Sequence, residues 1–213
     1  LSYAVDAASA LEPDQLVVVV GHQRDQVEAH LAEIAPQALA AVQEQQRGTG
    51  DAVRSALAAL GELAGDLVVT SGDVPLLSGD TLHELVDAHR AEGNAVTVLT
   101  TIAADPTGYG RVVREGGAVT RIVEQRDASE DERLITEINA GIYVFDAQVL
   151  RDGLAGLQTD NAQGELYLTD VIGFARYLGR RVGASVLSDP VQAEGVNDRI
   201  QLAALSAELN RRI

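Results

Sequence analysis

Cysteine, methionine, tryptophan and lysine are all absent from this 213-residue chain. Without Cys, neither a disulfide framework nor a thiolate zinc site can form. Without Lys, all 16 basic residues are Arg, and they face 32 acidic residues. The net charge of −16 argues against a nucleic-acid partner, because affinity for a phosphate backbone comes from clustered Lys and Arg. No apolar run approaches the ~20 residues of a membrane helix, and no charged-then-apolar leader opens the chain. With 46% hydrophobic residues, the expectation is a globular, cytoplasmic protein without a membrane partner. The missing Met has its own meaning. A natural reading frame starts with Met, whereas this chain opens on Leu1, so a native segment is expected before it.

The length suits one sizeable domain or a core with a smaller lobe. Leu1, Ala4, Val5 and Ala8 fall at helical spacing before Pro13. Val17 to Val20 is an apolar run of strand length, expected in a sheet covered on both faces. Helices are expected over 23–34, 52–63, 82–90, 169–178 and 198–213, and strands at Leu67, 95–101, 138–145 and 182–187. The last helix carries Ile200, Leu202, Leu205 and Leu209 as an apolar face. This alternation is the mark of βαβ units. The rhythm changes at 110–124, where Gly116-Gly117 predicts a hairpin. The acidic run from Asp127 to Glu132 reads as a solvated loop, and His22, His30, His83 and His89 read as surface residues without a metal-ligand pattern. The fold class is therefore α/β: a Rossmann-like, mostly parallel sheet with helices on both faces, plus a smaller antiparallel lobe.

Two segments carry the chemistry. Leu67-Val-Val-Thr-Ser-Gly-Asp-Val-Pro-Leu-Leu77 is an apolar run ending in Gly72-Asp73, with Pro75 barring further strand. Ligands of open α/β sheets bind beyond the carboxyl ends of strands, where Asp73 is well placed to hold a metal over a phosphate. Taken alone, it reads first as the cap of a turn or of the following segment. Upstream, Gln43-Glu-Gln-Gln-Arg-Gly-Thr-Gly-Asp-Ala52 has a Gly-rich turn opening a helix. Gln43 offers a donor and an acceptor to a base edge, and Gly48 and Gly50 admit close backbone approach. The plainer alternative is a helix cap at Thr49 with Asp51 in the first turn.

Together these segments resemble the sugar-nucleotidyltransferases, most closely the N-acetylglucosamine-1-phosphate uridylyltransferase domain of GlmU-type bifunctional enzymes. The resemblance runs through the whole chain. It implies UTP and N-acetylglucosamine 1-phosphate as substrates, UDP-N-acetylglucosamine as product and Mg²⁺ as cofactor. It implies Asp73 and Asn197 as metal ligands and catalytic groups; Gln43, Gly48, Thr49, Ser71 and Gly72 as uridine contacts; and Gly110, Glu124, Asn139, Thr169 and Asn197 as sugar or phosphate contacts. Ser71 replaces a Tyr of some relatives, and Arg47 an apolar residue expected to point outward. Asn197 precedes the last helix, where either it or Asp198 can cap, and Asp170 reads as a cap of its own helix. Residues 1–106 are expected to be mainly nucleotide-binding, 107–190 mainly sugar-binding, and 191–213 a metal-ligand turn plus a helix.

Family members also carry a Gly-x-Gly-Thr phosphate loop, which this chain lacks, so the 213 residues alone are expected to be inactive or nearly so. The parent is expected to bear a β-helical acetyltransferase domain and to form homotrimers. The competing expectations are another sugar 1-phosphate with UTP or dTTP, or a non-catalytic nucleotide-sugar-binding module.

Overall fold

The computed structural model describes residues 1–212. In chain order the elements are α1 (Ser2–Ser9), β1 (Val17–Val20), α2 (Arg24–Ile34), β2 (Leu39–Val42), α3 (Thr49–Leu60), β3 (Asp66–Val69), α4 (Gly79–Glu92) and β4 (Val96–Ile102). There follow β5 (Arg111–Glu115), β6 (Ala118–Val123), α5 (Glu130–Arg133), β7 (Glu137–Asp146), α6 (Ala147–Ala155), α7 (Asp170–Tyr177), β8 (Val182–Val186), a 3₁₀ turn (Pro190–Ala193) and α8 (Arg199–Arg212). No described helix is long and apolar enough to cross a membrane. The expected helix end at Ile213 lies outside the described residues.

The α/β architecture appears as expected, but strand direction needs refining. Among the described strands, parallel pairing is confined to β1–β2 and β4–β8. The reason is β7. Both β3 and β4 pair with it antiparallel, so the β3–α4–β4 unit is a parallel crossover with a reversed strand inserted between its arms. The β5–β6 hairpin joins the same sheet through Arg111 opposite Ile138. Gly116 (φ 57°) and Gly117 (φ 87°) form its turn, as the Gly pair predicts.

Side-chain alternation along β7 builds a core on each face. Tyr143 and Phe145 pack among residues of α6 and α7, including Leu150, Leu154, Val171 and Ile172. Ala140, Ile142 and Val144 point the other way, toward Leu82, Leu85 and Val86 of α4. Helices on both faces are thus borne out. By contrast, Val17, Val18 and Val19 are only half-buried. Their strand has one paired neighbour, β2, and a small separate core made by α2 with Val5 of α1.

Three further expectations are corrected. The acidic run is not all loop: Ser129 and Glu132 form a capping box for α5, which the Ser-x-x-Glu spacing encodes. Chiefly the Ser129 N–H, then Arg121, holds the Glu132 carboxyl at about 2. The apolar face of α8 is not buried as a unit, because Leu205 is inside while Ile200 and Leu202 are exposed. Finally, His89 is 3% exposed and not a surface residue. It lies three and four residues beyond Val86 and Leu85 on the buried face of α4, with its Nδ1 2.9 Å from Thr97 Oγ1 and Nε2 3.6 Å from Asp66 Oδ1.

Burial lowers the His89 pKa from the ordinary 6.5, outweighing the nearby Asp66 and Asp146 carboxylates. The folded protein therefore resists a proton that the unfolded chain accepts, and stability falls as pH drops through the ordinary His range. Thermal melts between pH 8 and pH 5 should show this loss in the native chain. His89→Gln, which does not titrate, should remove that part of it.

Candidate functional site

The edge of β7 that faces away from β4 is shared by two strands. β5 holds its beginning, at Ile138, and β3 holds its end, from Tyr143 to Asp146. The fork between them leaves residues 139–141 of β7 without a strand partner on that edge. Gly141 is left-handed there (φ 74°), and the β4–β7 register shifts alongside, at Leu99/Thr100. On one side, β3 runs out into Ser71-Gly72-Asp73, and a Cβ on Gly141 would lie 3.6 Å from Ser71 Oγ. On the other, the 107–110 turn arrives, with the Asn139 N–H donating to the Gly110 carbonyl at 2.9 Å. Two turns far apart in sequence thus meet over one stretch of strand.

A third turn joins them. The Val196 N–H donates to the Asp73 carbonyl at 2.9 Å, and a Cβ on Gly195 would sit 3.0 Å from Asp73 Oδ2. Asp198, not Asn197, caps α8: its Oδ1 accepts from the N–H groups of Ile200 and Gln201, both at 2.8 Å. Asn197 uses its backbone N–H on Gln201 Oε1 at 2.7 Å. Among the described residues, neither the Asp73 carboxylate nor the Asn197 carboxamide has a hydrogen-bond partner. One free carboxylate and one free amide oxygen on adjoining turns are the donors a hard divalent cation takes from protein when phosphate and water complete its shell. Tyr109 faces the same place, its phenol pushed up first by burial and then by Glu194 and Asp73.

The Gln43–Asp51 segment behaves differently from its sequence reading. Gly48 (φ 104°) and Gly50 give close approach to another backbone segment of the same chain. The Gly50 N–H donates to the Leu166 carbonyl at 2.8 Å and the Leu166 N–H to the Arg47 carbonyl at 2.7 Å. Thr49 is no cap either: its Oγ1 accepts from the Leu168 N–H at 3.2 Å, and α3 has no side-chain cap. Arg47 is exposed, as expected, and also reaches back to pair with the buried Asp51 at 3.2 Å. Gln43 borders a cleft of about 620 Å³ with Gly21, His22, Arg24 and Gln46, beyond the carboxyl ends of β1 and β2. Gly72 is exposed on the turn after β3, and neither it nor Ser71 lines that cleft.

The remaining expected residues are brought together. Thr169 Oγ1 donates to Glu124 Oε1 at 3.2 Å, and a Cβ on Gly110 would lie 3.3 Å from Glu124 Oε2. Asn139 Nδ2 donates to the Tyr143 hydroxyl at 2.6 Å, while its Oδ1 accepts from the Gly141 N–H at 3.0 Å. Asp170 is the first residue of α7 and caps nothing with its side chain. Sequence reasoning misses the bracing role of Arg111. The Arg111 side chain is fully buried and donates to Gln125 Oε1 at 2.7 Å and to the Tyr109 carbonyl, bracing the strand ends that carry Gly110 and Glu124. Tyr167 donates to Asp127 Oδ2 at 3.1 Å, tying the 161–168 loop to the turn beyond Glu124.

The nucleotidyl transferase family profile matches residues 1–185. The chain belongs to that family. This nucleotidyl transferase is 57% identical over 219 residues to the bifunctional protein GlmU of Cutibacterium acnes, covering 100% of the chain and 52% of the relative. It is 55% identical over 216 residues to the bifunctional protein GlmU of Streptomyces coelicolor, covering 100% of the chain and 45% of the relative. The chain thus spans about half the length of the curated relatives it matches. A UDP-glucose pyrophosphorylase complexed with UDP-glucose shares the fold, with a TM-score of 0.70 at 15% identity over 100% of this chain and 86% of that one. So does a glucose-1-phosphate thymidylyltransferase, described as putative, from Bacillus anthracis: TM-score 0.71 at 16% identity, over 97% and 80% of the two chains.

Two results should follow for this nucleotidyl transferase. Gly48→Ala forces a Cβ to within 2.7 Å of the Leu166 carbonyl oxygen at a left-handed φ. It should lower stability by ~2 kcal/mol or more, a fall of roughly 4–8 °C in Tm. Glu124 tests the other direction. Burial, then Asp127, Asp170 and Glu165, raise its carboxyl above the ordinary 4.5 despite the Thr169 bond. Ionising it in the folded state is therefore unfavourable, and the penalty grows as pH rises above the unfolded value. Glu124→Gln keeps the Thr169 acceptor, so it should raise Tm at pH 7, with the gain vanishing at pH 4 and below.

Proposed function

We propose that the chain is the uridylyltransferase part of a GlmU-type enzyme, making UDP-N-acetylglucosamine and pyrophosphate from UTP and N-acetylglucosamine 1-phosphate. The observation that carries the reading is the meeting of the Asp73 and Gly195–Asn197 turns at the β7 fork, beside the Gly110–Glu124–Asn139–Thr169 group. Relatives more than 50% identical bear the GlmU name, which supports the same assignment.

In this reading the sugar phosphate oxygen attacks the α-phosphorus of UTP in line, forming a new P–O bond as the α–β phosphoanhydride breaks and pyrophosphate leaves. Such chemistry depends on positioning and charge neutralisation. Asp73 and Asn197 would hold Mg²⁺, which would supply positive charge against the phosphate oxygens. Gln43, Gly48, Thr49, Ser71 and Gly72 border the uridine, with Gly48 and Thr49 acting by holding the loop against residues 166–168. Gly110 and Glu124 orient the sugar hydroxyls, and Thr169 and Asn139 fix that pocket. Residues 1–106 then serve mainly the nucleotide and 107–190 mainly the sugar. The parent works in the cytoplasm as a homotrimer, with acetyltransfer in a further domain.

Calorimetry tests this directly. UDP-N-acetylglucosamine should bind more tightly with Mg²⁺ than without, by on the order of tenfold, and Asp73→Asn should abolish the difference. Binding indifferent to Mg²⁺ would instead favour a non-catalytic nucleotide-sugar module. Because the Asn139 amide is already bonded within its own strand, N-acetylglucosamine and glucose 1-phosphates should be compared side by side. Equal affinity for both would contradict the acetamido assignment.

A further inference from the structure

Gln43 is wired on its donor side. Its Nε2 donates to the Gly48 carbonyl at 3.2 Å and to Asp51 Oδ2 at 3.1 Å, which uses both amide protons. Asp51 is 7% exposed and is itself fixed by Arg47, whose Nη2 lies 3.2 Å from Oδ1. A carboxylate and a carbonyl both accept and cannot donate. Turning the amide over would set Gln43 Oε1 against two acceptors, so the network dictates which way the group points. Among the described residues nothing donates to Oε1. What the side chain offers the cleft is an acceptor alone.

We propose that Asp51 is a positioning residue that locks Gln43 as an acceptor-only reader and thereby selects an imide base, uracil or thymine, over cytosine. The proposal rests on the nucleotide-binding reading of this cleft and adds to it the origin of base choice. An imide ring has an N3–H donor on its pairing edge. Cytosine in the same pose sets a lone pair there, facing the Gln43 oxygen, and two acceptors in contact are repulsive as well as unpaired. In a lone Gln, the amide rotates to suit either ring. Here Asp51 and Gly48 remove that freedom. Nothing in the mechanism of phosphoryl transfer uses Asp51, whose carboxylate is engaged by Gln43 and Arg47.

The test is nucleotide binding to the 213-residue chain by titration calorimetry with UTP, dTTP and CTP, for the native protein and Asp51→Asn. The native chain should favour UTP and dTTP over CTP by at least ~10-fold. In Asp51→Asn, Arg47 claims the Asn oxygen and leaves its NH₂ facing Gln43, which invites the amide to turn over. The UTP-to-CTP preference should then fall by ~10-fold or more, while thermal melts show a folded protein. A purely structural role for Asp51 predicts equal weakening for all three nucleotides and an unchanged ratio, which would overturn the proposal. If Asp51→Asn does not fold, the side-chain NH₂ resonances of Gln43 in the native chain decide. Protection from exchange that UTP leaves unaltered supports the proposal, and a new hydrogen-bond coupling from that NH₂ to the base overturns it. A native chain that binds no nucleotide refutes the nucleotide reading itself, whereas equal affinity for UTP and CTP refutes only the Asp51 assignment.

Discussion

The divided edge of β7 is the constraint on which the rest of the structure depends. One face-to-face ladder with β4 runs nearly its full length, but the opposite edge is occupied at its two ends by different strands. Had either β3 or β5 claimed the whole edge, residues 139–141 would be ladder and no ligand could reach them. Because neither does, three backbone carriers end at one place. The Ser71–Asp73 turn, the Thr107–Gly110 turn and the Gly195–Asn197 turn each deliver polar groups there, held by main-chain hydrogen bonds and not by flexible side chains. That is the kind of support a site needs when its chemistry consists of alignment.

The same arrangement explains where stability is sacrificed. Glu124 is half-buried among acids, with a hydroxyl from Thr169 as its partner and, among the described residues, no cation paired to it. Arg111 is buried with its Nε unpartnered. Groups held this way are poor stabilisers, and they cluster at functional sites because binding, not folding, rewards them. By comparison the body of the fold is conventional: alternating apolar residues on β7 and β4, sealed by α4 on one side and by α6 and α7 on the other.

Much of this was legible in the sequence, for local reasons. Gly116-Gly117 announces a hairpin because both positions need positive φ, and α1, α2, α4 and α7 follow their apolar spacing closely. What escaped was mostly non-local. No periodicity shows that β7 inserts between β3 and β4, since an antiparallel partner and a parallel one bury the same residues. Gly48 and Gly50 look like ligand-facing glycines from the motif alone, and only the position of Leu166 shows that a second backbone takes that space. Two signals were present and outweighed. Ser129-x-x-Glu132 spells a capping box inside an acidic run that reads as loop, and His89 continues the buried Leu82–Leu85–Val86 face despite its polarity.

The central claim is that turns remote in sequence form one metal-and-ligand site at the β7 fork. Titration of Mn²⁺ into the isotope-labelled protein saturated with UDP-N-acetylglucosamine tests it most directly, through paramagnetic broadening of backbone amides. The account predicts that amides of Gly72, Asp73, Val196 and Asn197 broaden together and first, followed by Gly110 and Gly141, and that Asp73→Asn suppresses the effect. Broadening confined to the acidic 127–132 region, or reaching the 71–73 turn without the 195–197 turn, would contradict it.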